Sequence, residues 1–94
     1  MSSTQYDIPL SVIIVTYNSA SEIGACLHAL MPQVDFLHGE IIVVDNASRD
    51  DTLSVVYEKT TGFEAIRVIE NKHNYGFAVA NNQGLEVARG GSTF

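Results

Sequence analysis

Basic residues, cysteine and long hydrophobic runs are all scarce in this chain of 94 residues, and each scarcity excludes a class of protein. Five lysines and arginines against eleven acidic residues leave a formal net charge of −6, which offers no basic surface to a nucleic acid or an acidic membrane. The single cysteine excludes an internal disulfide and is typical of a reducing compartment. No apolar run approaches the roughly 20 residues that span a bilayer, and the polar start is not signal-like. We therefore expect a small cytoplasmic domain.

Strand-like and helix-like segments alternate three times along the chain. Residues 12–15 and 41–44 are β-branched throughout, which favours strands buried on both faces, and a shorter strand is predicted over 65–69. Because a helical segment follows each strand, the pattern predicts a parallel sheet with right-handed crossovers. The predicted fold class is α/β, a three-layer Rossmann-like parallel sheet over residues 10–94, preceded by a flexible segment over residues 1–9.

Polar and glycine or proline residues mark the predicted helix ends. The segments 19–22 and 48–51 have the form of capping boxes and predict the starts of the first two helices. Pro32 should end the first helix, and the Gly-Gly pair at 90–91 should end the third. Cys26 falls on the apolar stripe of the first helix, so we expect it in the core.

The glycine-rich phosphate loops G-x-G-x-x-G and G-x-x-x-x-G-K-[ST] are both missing, which disfavours a dinucleotide dehydrogenase and a P-loop NTPase. Instead, Thr16, Tyr17 and Asn18 follow the first strand, and Asp45 and Asn46 follow the second. Ligands of open α/β sheets bind at such strand ends. An aromatic ring, small hydrogen-bonding side chains and a carboxylate suit a nucleoside. Uracil and thymine carry a ring N–H that a carboxylate can accept, whereas cytosine has none.

Three blocks, VIIVTYNS, EIIVVDNASRDDT and NKHNYGFAVANNQG, resemble in order and spacing the opening of family 2 glycosyltransferases, which have the GT-A fold. The resemblance covers nearly all of residues 10–91 and implies a truncated, amino-terminal, nucleotide-sugar-binding half of such an enzyme. The start of the third block is similar to rhamnosyltransferase-like members that use dTDP-rhamnose. Together with the preference for uracil or thymine, the resemblance implies a UDP- or dTDP-sugar donor. The nucleotide-binding residues predicted from the strand ends and the resemblance are Thr16, Tyr17, Asn18, Asp45, Asn46, Asn74, Gly76 and Asn82.

Two features of complete family members are absent from this sequence. The resemblance implies that an Asp-x-Asp motif after the next strand holds Mg²⁺ or Mn²⁺ against the diphosphate, and that a later carboxylate deprotonates the acceptor. Neither occurs here, so we predict no catalytic and no metal-binding residue in this chain. Asp50 and Asp51 stand at a helix start, where acidic residues ordinarily act as caps. The three histidines, His28, His38 and His73, do not share metal-ligand spacing.

The predicted contact residues also have structural interpretations, which the sequence leaves open. Asp45 could accept a turn amide at the end of its strand, and Tyr17 could be a half-buried packing residue. Asn74 and Gly76 could do no more than form the turn into the third helix. Asn82 could make a local bond on that helix.

The function predicted for the complete protein is sugar transfer from a nucleotide diphosphate donor to an acceptor hydroxyl, and the acceptor is unknown. Whether these 94 residues are themselves an enzyme stays open. The alternatives are a non-catalytic nucleotide-binding or interaction module and an inert truncated fragment. The complete protein could also lie at the inner face of the membrane. Residues 92–94 look like the start of a further strand that is mostly missing beside the first. The 12–15 edge should therefore pair with a second copy, swap an element or be covered by the 91–94 tail, and self-association is the outcome we expect because so little tail remains.

Overall fold

The computed structural model describes residues 8–93 as an open four-stranded sheet with helices on both faces. The elements in chain order are β1 (Ile8–Thr16), α1 (Ala20–Phe36), β2 (Glu40–Asp45), α2 (Thr52–Lys59), β3 (Ile66–Glu70), α3 (Phe77–Val87) and β4 (Gly90–Thr93). Residues 1–7 of the predicted flexible segment lie outside the described residues, whereas residues 8 and 9 belong to β1.

The strands run in the order β3-β2-β1-β4, and every pairing is parallel. Thr16 is in register with Asp45, and Asp45 is in register with Glu70, so the carboxyl ends of β1, β2 and β3 meet at one edge of the sheet. The order reverses between β1 and β4. Such a reversal opens a crevice at the carboxyl ends of the strands, where ligands of this fold class bind.

Two hydrophobic clusters fill the two faces of the sheet. On one face, Leu27 of α1 and Val56 of α2 pack with Val43 of β2. On the other face, Ala80 of α3 packs with Ile42. All six residues of β2 are buried, as expected for a central strand whose near-continuous apolar run is covered on both sides. Full burial of each large aliphatic side chain stabilises the folded state by about 1.5–3 kcal/mol. With helices on both faces of the sheet, the three predicted layers are confirmed.

Helix α1 differs from its predicted form in two ways. It continues through Pro32 and ends at Phe36, so the prediction that proline ends it is wrong. The last turn persists because Val34 is buried and its carbonyl accepts the Gly39 amide at 2.8 Å, which offsets the hydrogen bond that proline removes. Cys26 is exposed rather than in the core, because the buried stripe of this helix is narrower than its sequence pattern.

The connection from α3 to β4 is held by a buried carboxylate. The Gly-Gly pair predicted to end α3 lies in β4, since the helix already ends at Val87. Glu40 accepts hydrogen bonds from the Ser11 hydroxyl at 2.6 Å and the Arg89 amide at 2.7 Å. Gly90 lies so close to β1 that an added Cβ would be 2.4 Å from the Ser11 nitrogen. Glycine is therefore required there by contact with the neighbouring strand.

β4 pairs with the part of β1 that precedes the 12–15 edge predicted to be open. The paired positions on β1 are Ile8, Leu10 and Ser11. Within residues 8–93, no strand pairs with the remaining part of β1, residues 12–16, on that side. Within the described residues, β4 therefore does not cover the 12–15 edge as the tail prediction expected. Self-association through residues 12–15 stays a prediction.

Candidate functional site

The carboxylate of Asp45 joins the end of β1 to the loop that follows β2. Its Oδ1 accepts hydrogen bonds from the Thr16 hydroxyl at 2.7 Å and the Ser48 hydroxyl at 2.6 Å. Its Oδ2 accepts the Ser48 amide at 2.9 Å, which leaves one acceptor direction on that oxygen. The side chain is only 1% exposed, so these bonds satisfy a charge that burial would otherwise make costly. The structural interpretation of Asp45 is therefore correct, and it does not exclude ligand contact.

Two residues with left-handed backbone shape the loop between β2 and α2: Ala47 lies in this loop, and Asn18 contacts it from the loop between β1 and α1. Asn18 has φ 50°, and its side-chain oxygen accepts the Arg49 amide at 2.8 Å while its own amide donates to the Ser48 hydroxyl at 2.8 Å. Ala47 has φ 64°, a conformation that costs a non-glycine residue of order 1–3 kcal/mol. Beside this strapped loop, Tyr17 keeps 47% of its surface exposed. The strand ends thus form a rigid polar edge next to an accessible aromatic ring.

Neither predicted capping box forms at the helix starts. The Ser19 hydroxyl donates to the Tyr17 carbonyl at 3.2 Å instead of capping α1. Asp50 takes the capping part for two helices, since its carboxylate accepts the Ala20 amide at 3.1 Å and the Thr52 amide at 3.0 Å. A hydrogen bond from the Thr52 hydroxyl is the main cause that holds the pKa of Asp50 below its usual 3.8. That stabilisation is complete above pH 3.8 and is lost as the pH falls through the lower folded value.

The buried side chain of Asn46 attaches the loop before α3 to the end of β2. Its Nδ2 donates to the Gly76 carbonyl at 3.1 Å, and its Oδ1 accepts the Tyr75 amide at 3.4 Å. Asn74 accepts the Gly76 amide at 2.9 Å in a local turn, and Gly76 has φ 89°, which favours glycine. Asn74 and Gly76 therefore do form the turn into α3, and Asn46 brings that turn to the same edge as Asp45.

Asn82 is the predicted site residue that the structure does not join to this cluster. Its side chain is exposed on α3, and in the described part of the chain no hydrogen bond links it to the strand ends. Its neighbour Gln83 instead pairs with Asn71 through two amide hydrogen bonds of 2.7 and 2.9 Å. The sequence analysis missed both residues, although Asn71 follows β3 directly, as Asn46 follows β2.

A tyrosine and a glutamate extend the edge on the side of β3. The Tyr57 hydroxyl donates to Glu70, which is the register partner of Asp45. The hydrogen bond to Glu70 is the main cause that raises the pKa of Tyr57 to about 12, and burial adds to it. The sequence signal for this pair was only the position of Glu70 at a strand end.

Residues 11–91 match the family model described as "Glycosyl transferase family 2". The chain belongs to this family. The glycosyltransferase AglE of Haloferax volcanii is 33% identical over 82 residues, which are 86% of this chain and 27% of AglE. The putative teichuronic acid biosynthesis glycosyltransferase TuaG of Bacillus subtilis is 36% identical over 81 residues, which are 86% of this chain and 32% of TuaG.

A solved glycosyltransferase structure has the same fold. The mannosyltransferase PcManGT of Pyrobaculum calidifontis, in complex with GDP-Man and Mn²⁺, matches with a TM-score of 0.76 and 31% sequence identity. The match covers 90% of this chain and 28% of that protein. The predicted family and GT-A fold are thus confirmed, and the chain spans roughly a quarter to a third of the length of these relatives.

The described residues do not by themselves fit the divalent cation of such enzymes. Within residues 8–93, no group of three histidine, cysteine, aspartate or glutamate side chains is arranged to hold a metal ion. Asp50, one of the local candidates, is engaged by backbone amides at the helix starts.

Within residues 8–93, no helix combines the length and hydrophobicity needed to cross a membrane.

Two sizeable clefts of the described residues lie away from this edge. One of about 410 Å³ is lined by residues of the second half of α1 and of the connection from α2 to β3, among them His28, Lys59 and Phe63. It lies toward the amino ends of the strands, opposite Asp45. These clefts are thus at the opposite end of the sheet from the polar groups that converge at the carboxyl edge.

Proposed function

We propose that the carboxyl edge of the sheet binds the nucleoside diphosphate of a nucleotide-sugar donor, in a protein that transfers the sugar to an acceptor hydroxyl. The observation that carries this proposal is the hydrogen-bonded cluster of Thr16, Asp45 and Ser48, which joins two strand ends at the edge where such sheets bind ligands. Family membership and the relative in complex with GDP-Man support it. The single cysteine supports a cytoplasmic location for the protein.

The polar groups favour a base with a ring N–H. When a donor binds, that N–H donates to the acceptor direction that the Ser48 amide leaves free on Oδ2 of Asp45, which adds one charge-assisted hydrogen bond. Tyr17 offers its exposed ring to the base or ribose. UDP- and dTDP-sugars meet this requirement. GDP-sugars meet it too, because guanine also carries a ring N–H, and the related mannosyltransferase was solved with GDP-Man.

Sugar transfer itself needs groups beyond the described residues. In the complete protein we propose Mg²⁺ or Mn²⁺ at the diphosphate, in keeping with the Mn²⁺ of the related mannosyltransferase. Residues 8–93 bring no group of three such metal ligands together. We expect this chain alone to bind the nucleotide and to leave the sugar bond intact.

Titration calorimetry with uridine, thymidine, guanosine and cytidine diphosphates tests the proposal. The parent chain should bind at least one of the first three about tenfold more tightly than the cytidine nucleotide, because one hydrogen bond to a charged acceptor is worth about 1.5–3 kcal/mol. Asp45→Asn should remove that preference. Glu58→Gln, the same change on the exposed face of α2, should keep it. Equal affinities for all four nucleotides in the parent chain would refute the assignment.

A further inference from the structure

Three side-chain amides form a continuous chain from the end of β2 to the middle of α3. Asn71 Nδ2 donates to Asn46 Oδ1 at 3.0 Å and to Gln83 Oε1 at 2.7 Å. Gln83 Nε2 returns a hydrogen bond to Asn71 Oδ1 at 2.9 Å. Both amide hydrogens of Asn71 and its carbonyl are thus engaged at once.

The three side-chain amides of this hydrogen-bonded network have fixed orientations. Asn46 must present its oxygen to the Tyr75 amide and its nitrogen to the Gly76 carbonyl, because each backbone group accepts only one orientation. Asn71 must then direct its nitrogen at Asn46, which requires an acceptor for its second hydrogen and a donor for its oxygen. Gln83 supplies both. Without Gln83, the Asn71 amide is free to turn over, and the contact with Asn46 is lost.

Gln83 is attached to the most firmly packed part of α3. Ala80, which precedes Gln83 in the helix, is fully buried. Gly84, which follows it, lies so close to β1 that an added Cβ would be 2.6 Å from Ile13. The loop of residues 72–76, by contrast, is exposed throughout. The well-packed helix therefore fixes the position of the exposed loop through these amide hydrogen bonds.

We propose that Gln83 is a positioning residue for the donor site. Acting through Asn71 and Asn46, it holds the loop of residues 72–76 against the end of β2, and so sets the affinity for the nucleotide without touching it. This inference rests on the proposed function. It assigns an effect on nucleotide affinity to Gln83, which hydrogen-bonds to Asn71. The exposed Asn82 beside it takes no part in these hydrogen bonds.

Gln83→Met tests the inference, since it keeps the length of the side chain and removes both hydrogen bonds. Glu86→Met places the same side chain at an exposed position of the same helix and serves as the control. Amide hydrogen exchange is measured without nucleotide, and the affinity for nucleoside diphosphates is measured by calorimetry. Gln83→Met should speed exchange at Tyr75 and Gly76 about five- to tenfold, leave the β2 amides unchanged and weaken nucleotide binding by a similar factor.

Asn71→Leu adds a second arm, because it removes the same pair from the other side. The double variant with Gln83→Met should bind nucleotide no more weakly than Asn71→Leu alone. Unchanged loop exchange in Gln83→Met, or faster exchange with unchanged affinity, overturns the positioning role while the proposed function stands. If the parent chain binds no nucleotide, the proposed function fails together with the effect on affinity.

Discussion

Thr16 is the residue whose hydroxyl most directly orients Asp45. Because both groups are buried, Thr16→Val should leave Oδ1 of Asp45 with the Ser48 hydroxyl as its remaining donor and lower the free energy of unfolding by about 1–3 kcal/mol. Nucleotide affinity should fall as well. Thr16→Ser keeps the hydroxyl and removes only a methyl group, so its nucleotide affinity should stay close to that of the parent chain. Denaturant unfolding and calorimetry measure the two effects, and indistinguishable behaviour of the two variants would exclude this role for the hydroxyl.

Tyr57 gives the edge a titration that spectroscopy can follow. Its phenol should ionise near pH 12, and Glu70→Gln should lower that pKa, because the charged acceptor that favours the neutral phenol is gone. Since the folded pKa lies above the ordinary 10.0, the contribution to stability is complete below pH 10.0 and is lost as the pH rises toward 12. Tyrosinate absorbance measures the shift. Glu64→Gln, at an exposed carboxylate before β3, is the control, and an equal shift in both variants would contradict the pairing.

The distance between α3 and the sheet depends on the small residue Gly84. Gly84→Ala should lower the free energy of unfolding by about 1–3 kcal/mol, because its methyl group would lie 2.6 Å from Ile13 and force the helix outward. Gly24→Ala in α1 should instead raise it by about 0.5–1 kcal/mol, since the added methyl group meets the flexible end of Lys59 at 3.3 Å and lies 3.4 Å from Val55, close to ordinary contact. Thermal unfolding measures both changes, and the same sign in both variants would argue against close packing of α3.

The strand cores were predictable from sequence, whereas several helix ends were not. The β-branched runs of β1 and β2 have few alternatives to a buried parallel strand. Pro32 was misleading because burial of Val34 outweighs the hydrogen bond that proline removes. The role of Gly90 was hidden because it depends on contact with Ser11, which is distant in sequence and close only across the sheet.

The site was predictable to the extent that strand ends are recognisable in a sequence. Asp45 and Asn46 follow an obvious strand, and the structure joins both to neighbouring loops. Asn71 and Gln83 were missed because a helix residue and a loop residue become partners only once α3 packs across the sheet. Asn82 was chosen over Gln83 because the family resemblance marks a segment and does not indicate which side of the helix faces the loop.

For the molecule as a whole, the uncovered part of the β1 edge is the feature that bears on assembly. Within the described residues, β4 reaches only as far as Ser11, so the backbone of residues 12–16 lacks a strand partner on that side. An apolar strand with an unpaired edge tends to recruit another strand. We expect the 10.2 kDa chain to scatter light as a dimer or larger species whose size grows with concentration. A concentration-independent monomer, with fast amide exchange along Val12–Val15, would contradict this expectation.

The measurement that tests the central claim most directly is an amide NMR titration of the isotope-labelled chain with uridine and guanosine diphosphates. It locates binding without assuming which side chain makes it. The account predicts that the perturbed amides cluster at the carboxyl edge, in residues 16–18, 45–48 and 74–76. Perturbations confined to the cleft around His28 and Phe63, or none with either nucleotide, would contradict a donor site at the ends of β1 and β2.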